Sequence, residues 1–168
     1  NRNWVPSVRH LLGMRAELGE YRTYEISQLQ YQGNAEQLQS YFKRMEVSKR
    51  KMDTALEAYR RLISSDAERK RLDVVLGDLE VYFTAHDKMM AAVSANDFVE
   101  ASRVSADESR PARRELFASL TALTDYNAKS LGGMVTASVA AYPRTVLSIS
   151  VGIAALVLLG AGLGFVPA

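Results

Sequence analysis

The sequence predicts an all-α fold: an antiparallel up-down-up-down four-helix bundle with a C-terminal transmembrane helix. Three observations predict it. Four long segments carry apolar or seam residues at alternating spacings of three and four. Short breaker clusters separate them, and glycines are scarce between residues 34 and 131. From Thr145 to Phe165 the chain reads TVLSISVGIAALVLLGAGLGF, without a charge. A bilayer needs about 20 apolar residues in a crossing helix, and this run has that length.

The first segment runs from about Pro6 to Gln32, with Val8, Leu11, Arg15, Leu18, Arg22, Glu25 and Leu29 in its stripe. Gly33 and Asn34 stop it. The second runs from about Ala35 to Ile63, with Leu38, Phe42, Met45, Ser48, Met52, Ala55, Tyr59 and Leu62 in the stripe. Ser64, Ser65 and Asp66 break it and cap its successor. The third runs from Asp66 to Val93 through Leu72, Leu76, Leu79, Phe83, His86, Met90 and Val93. Ser94, Ala95 and Asn96 make the next turn, with Asn96 or Asp97 as cap. The fourth begins near Asp97 and meets no stop before Pro143. Each helix is about 40 Å long at 1.5 Å per residue. Connections this short make sequence neighbours antiparallel. No strand-like alternation occurs in the sequence.

These elements divide the chain into a bundle, 1–143, and a membrane helix, 144–168. Glycines at 152, 160, 162 and 164 suit a membrane helix better than a soluble one. A helix that is apolar all round also finds no room inside a bundle of this size. The chain opens at NRNWVPS without Met, so an upstream piece with a first membrane span is expected.

Composition excludes several classes of chemistry. The 168 residues contain no cysteine, which removes disulfides, thiol catalysis and thiolate metal sites. Only His10 and His86 remain as imidazole ligands, without metal-binding spacing, so neither a metal nor another cofactor is expected. The net charge is +2 with acids and bases interspersed, unlike the basic face of a nucleic-acid binder. No nucleophile–base pair, acid pair or glycine-rich phosphate loop stands out, and no catalytic residue is assigned.

The Trp4-Pro6-Ser7 entry, the GEYRTYE run with Arg22 and Glu25, and the RRELFASLTALTDYN run combine with the helix order and the terminal span. Together they resemble the periplasmic four-helix-bundle ligand-binding domain of bacterial methyl-accepting chemotaxis proteins, followed by their second transmembrane helix. The resemblance implies a sensor in the inner membrane that faces the periplasm and dimerises through helix 1. It also implies a HAMP and signalling region beyond residue 168. In the aspartate-sensing relatives three arginines near the distal end of helix 1 hold the ligand. With the first aligned on Arg22, Ser27 and Tyr31 stand where the other two would be. This sequence therefore departs from the amino-acid-sensing pattern.

Polar residues on a bundle seam mark where a ligand could sit. On the fourth helix Leu116, Leu120, Leu123, Asn127, Leu131 and Met134 make an ordinary core. Before them the stripe is Ser102, Ser105, Ser109 and Ala112, flanked by Arg103 and Arg110. Small side chains cannot fill an interhelical space at native density, so this half is expected to be loose or to hold something. Counting residues from the distal turns puts Arg22 level with 105–110. The expected ligand-binding set is Arg22, Tyr24, Tyr31, Ser102, Arg103, Ser105, Ser109 and Arg110. Guanidinium forks and hydroxyls suit a small organic anion, such as a carboxylic acid. Competing assignments exist: Arg22 can pair with Glu25 or a neighbouring acid, Glu100 and Asp107 can neutralise Arg103 and Arg110, and His86 fits a satisfied core histidine. The rival functions are a membrane-anchored structural or interaction bundle without a small ligand, and a sensor that meets a loaded binding protein at its tip. Pro111 is expected to bend or open the fourth helix.

Overall fold

The computed structural model describes residues 4–130 and residue 132. The chain divides into two compact units, Asn1–Ala128 and Lys129–Ala168, and the first carries the bundle. The expected span at 145–165, the 143/144 boundary and the seam positions Leu131 and Met134 lie outside the described residues.

The described residues are helical, with no strand among them. Helix α1 spans Trp4–Gln28, α2 Ala35–Arg60 and α3 Asp66–Ser94. The fourth rod has three parts: α4 at Phe98–Val104, a π-turn at Ser105–Ser109, and a helix at 110–130, here α5. None of the helices among the described residues is long and apolar enough to cross a membrane.

The turns follow from their residues. Turn-type bonds Leu29 N–H to Ile26 O and Tyr31 N–H to Gln28 O end α1 before Gly33, earlier than the periodicity places the stop. Gly33 then takes φ +77°, a left-handed conformation that costs glycine little. Asn34 accepts from the Gln37 N–H, Ser65 from Glu68, and Asp97 from Glu100, so each following helix has a side-chain N-cap. The Glu68 carboxylate also reaches back to the Ser64 N–H at 3.0 Å, in the manner of a capping box.

Cross-helix contacts fix the topology. Glu17 meets Lys51 while Tyr24, later in α1, meets Tyr41, earlier in α2. Lys88 of α3 meets Glu108 of the fourth rod. Trp4 packs on Tyr126, and Arg22 reaches Ser105 and Ser109. Sequence neighbours, and α1 with the fourth rod, therefore run antiparallel, as an up-down-up-down bundle requires.

The core holds Leu11, Met14 and Leu18 of α1, Met45, Met52 and Tyr59 of α2, Leu72, Val75 and Met89 of α3, and Leu116, Leu120 and Leu123 of α5. The rotation of α1 differs slightly from the expected stripe. Met14, Tyr21 and Gln28 are buried, whereas Arg15 is exposed and sits 5.7 Å over the Phe117 ring.

Candidate functional site

A buried polar network crosses the bundle where the fourth rod has only serines on its seam. Arg22 is 7% exposed and Glu25 is fully buried. They lie one turn apart on α1 and pair at 2.5 Å. The Arg22 guanidinium also donates to Ser109 Oγ (2.9 Å), Ser105 Oγ (3.1 Å) and Ser105 O (3.4 Å). The Glu25 carboxylate accepts from the Tyr82 hydroxyl (2.9 Å), His86 Nδ1 (3.0 Å) and the Ser109 hydroxyl (3.3 Å). A carboxylate only accepts, so Nδ1 of His86 is the donor. The Tyr21 hydroxyl lies 2.7 Å from His86 Nε2, and the Tyr21 ring packs edge-on to Phe83 and Tyr82.

Two effects oppose each other at Glu25. Burial pushes its pKa up, while the His86 hydrogen bond and the Arg22 charge pull it down. The partners win, and the carboxyl is held below its ordinary range. Burial also pushes the Tyr21 and Tyr82 hydroxyls up, with the Glu25 charge adding to it, so both stay protonated as donors. Arg22 Nε and both polar atoms of the fully buried Gln28 amide have no hydrogen-bond partner among the described residues.

The residues singled out by sequence fall into separate places. Arg22, Ser105 and Ser109 come together in the network. Long side chains from α1 and α3 fill the space that the serines leave, which is how this half of the seam packs. Ser102 is exposed, off the seam, beside a tip groove of about 500 Å³ that includes Leu29, Gln32 and Phe98. Arg103 is exposed and bound to Glu100 (2.7 Å) and Glu108 (3.1 Å). Arg110 is exposed and no ion pair joins it to Asp107. Tyr24 and Tyr31 lie on the α1–α2 face, packed on Tyr41 at 6.2 and 5.5 Å, with Arg44 over the Tyr24 and Tyr41 rings. The eight residues therefore do not make one pocket.

Sequence reasoning missed Tyr82 and His86 as partners of Glu25, and Tyr21 as the partner of His86. A fully buried carboxylate needs several donors, so Glu25 on the seam was the signal to look for them. A second buried polar cluster is simpler. Tyr59 donates to Glu68 at 2.8 Å and accepts from Asn127 at 3.2 Å, tying α2, α3 and α5 together.

Residues 1–132 match the family described as a four helix bundle sensory module for signal transduction. The match covers more than half of the chain. The chain belongs to this family. It is a sensory module of chemotaxis signal transducers, a receptor family rather than an enzyme family. No curated protein gives a significant match. In this sensory module the network ties α1 and α3 to the π-turn at Ser105–Ser109 of the fourth rod.

Proposed function

We propose that this sensory module is the periplasmic part of a chemoreceptor in the bacterial inner membrane. On this reading it binds a small organic anion, a carboxylic acid, and passes a displacement of its fourth rod into the apolar run at 145–165. The uncharged run in the sequence supports the membrane part. The observation that carries the anion is a groove of about 470 Å³ between α1 and α2, where Lys43, Arg44 and Lys51 outnumber the acids Glu17 and Glu20 and the lining is completed by Tyr24, Val47 and Ser48. Lys51 pairs with Glu17, whereas Lys43 and Arg44 form no ion pair among the described residues. Arg44 stays beside the tyrosine rings with its fork free for a carboxylate.

Signalling requires that the ligand prefer one arrangement of the rods over another. Calorimetry of the full chain in detergent against a panel of mono-, di- and tricarboxylates and aromatic acids tests the reading. Binding by at least one acid, weakened tenfold or more by Arg44→Ala or Lys43→Ala, is expected. Silence across the panel would sink it.

One observation favours the second reading, a bundle without a small ligand: Arg22, the most buried arginine among the described residues, is taken up by Glu25, Ser105 and Ser109.

The module is proposed to act as a homodimer through α1. Val5, Leu12 and Ile26 are 61%, 48% and 41% exposed. With Gly19 they fall seven residues apart, and the exposed Ala16 and Thr23 lie between them. This stripe lies away from the α2 contact that Glu17 and Tyr24 make. A Cβ at Gly19 would meet nothing within 4 Å, so packing within the chain does not require the glycine. A close second helix would.

A further inference from the structure

The fourth rod carries its seam in two frames. Ser109, Leu116 and Leu123 are fully buried and seven residues apart. Counting back another seven from Ser109 reaches Ser102, which is exposed, whereas Ala101 is fully buried. Between Ala101 and Ser109 this row steps eight residues instead of seven, although Phe98, Ser105 and Ala112 keep the step of seven, and the backbone bonding of the turn between them shows where the extra residue lies. A seven-residue repeat cannot absorb an insertion without local unwinding.

The π-turn is where that residue is stored. The Arg110 N–H bonds Ser105 O, a five-residue step in place of the α-helical four. Pro111 fixes the C-terminal limit of the turn. It has no N–H to return to Asp107, and in a regular α-helix its ring would crowd that carbonyl. The turn is also held from both sides. Inside, Arg22 binds Ser105 and Ser109, its two ends. Outside, Glu108 takes Lys88 at 2.8 Å and Arg103 at 3.1 Å.

The residues of α4 fit a second frame. Moving each seam position on by one replaces Phe98 with Val99, Ala101 with Ser102, and Ser105 with Ala106. Every replacement is small or apolar. Val99 is 84% exposed, the most exposed large apolar side chain among the described residues. The observed frame buries the larger Phe98 and is the ground state.

We infer that the π-turn is a register latch: when Arg22 lets go of Ser105 and Ser109, the stored residue passes toward the N-terminal end of α4. Residues 98–105 then shift by one position, about 1.5 Å and about 100° of rotation, while α5 beyond Pro111 keeps its frame. The inference rests on the geometry of the bundle alone and holds whether or not the anion reading does.

The chain has no native cysteine, so single introduced thiols report each face. Maleimide labelling of the full chain in detergent is compared for Ala101→Cys, Ser102→Cys and Thr124→Cys, the last being a buried α5 position. Each is made in the parent and in the Arg22→Met/Glu25→Leu background. In the parent only Ser102→Cys reacts fast. In the altered background Ala101→Cys is expected to gain at least tenfold and Ser102→Cys to slow, with Thr124→Cys still protected. An unchanged Ala101→Cys overturns the latch, and so does Thr124→Cys opening along with it. If that background does not fold, Ser105→Ala/Ser109→Ala removes the hydroxyl catches with less disturbance and is read the same way. A deletion gives an independent check. Removing Ala106 together with Pro111→Ala puts both seams in one frame and should leave Tm unchanged or higher, whereas removing Ala118 from α5 should lower it sharply. Equal losses from the two deletions would show that no residue is stored in the turn.

Discussion

Glu25 decides how the polar seam behaves at the level of single residues. Its carboxylate balances Arg22 and collects donors from α3 and the π-turn. Glu25→Ala leaves Arg22 buried without its counter-charge and should cost about 3–5 kcal/mol, read from urea unfolding by circular dichroism. Replacing both partners, as Arg22→Met/Glu25→Leu, should recover most of that loss, because the desolvation of two charges disappears with them. The pH dependence follows from the direction of the shift. The folded-state pKa of Glu25 lies below its ordinary 4.5, so the carboxylate contributes fully above that value and progressively less as pH falls through the folded pKa. Tm should therefore decline below about pH 4.5, and Glu25→Gln should remove part of the decline. Arg22, His86, Tyr82 and Ser109 are the groups that face this carboxylate, and only Arg22 among them carries a permanent charge. Gln28 makes the opposite case. Its buried amide has no partner among the described residues, so Gln28→Met should raise stability by about 1 kcal/mol, and a loss of stability would show that the amide is satisfied in solution. Arg22 and Glu25 were legible as seam residues from spacing alone. The α3 partners of Glu25 were not, because which side chains meet across a bundle depends on the rotation of each helix, and α1 is turned enough to bury Tyr21 and Gln28 and expose Arg15.

Among the elements, the helix starts were the most legible features, because a cap is local chemistry. Asn34, Ser65 and Asp97 each accept from the backbone N–H three residues on. Ser65 carries the most, since Glu68 answers it through the Ser64 N–H and also binds Tyr59. Ser65→Ala should cost about 1 kcal/mol in the thermal unfolding of the chain, and no measurable change would show that Glu68 holds this turn by itself. The π-turn was only half legible. Pro111 announces trouble with the Asp107 carbonyl, but whether a helix bends, breaks or widens there depends on register. The offset between Ala101 and Ser109 selects widening, and it also explains why Ser102, placed on the seam by uniform spacing, stands in solvent.

On the scale of the whole molecule, the four-rod order was legible because length, breakers and periodicity agree, and residues 1–132 match a four helix bundle family. The candidate ligand set was less so, since it assumed that polar seam residues face an opening, and the bundle closes on them instead. Partner surfaces follow a different rule: they are read from what one chain leaves unexplained. A glycine inside a helix costs about 1 kcal/mol relative to alanine, and Gly19 returns nothing for it within the chain because its Cβ position is open. Its neighbours on the stripe, Leu12 and Ile26, leave apolar surface in water. If α1 meets a second α1, Gly19 lets the two backbones approach, and Leu12 and Ile26 close the contact on either side. Gly19→Leu should then push the helices apart and lower the dimer fraction at least tenfold in sedimentation of the full chain in detergent, while the monomer gains helix propensity and its Tm holds or rises. Leu12→Glu/Ile26→Glu should abolish the dimer, since it puts two carboxylates per chain into an apolar seam. An unaltered sedimentation profile in both variants would remove α1 as the contact and leave the stripe without a partner. The combination of a weaker dimer with a stabler monomer separates an interface role from an internal one, because a residue needed for internal packing would lower both together.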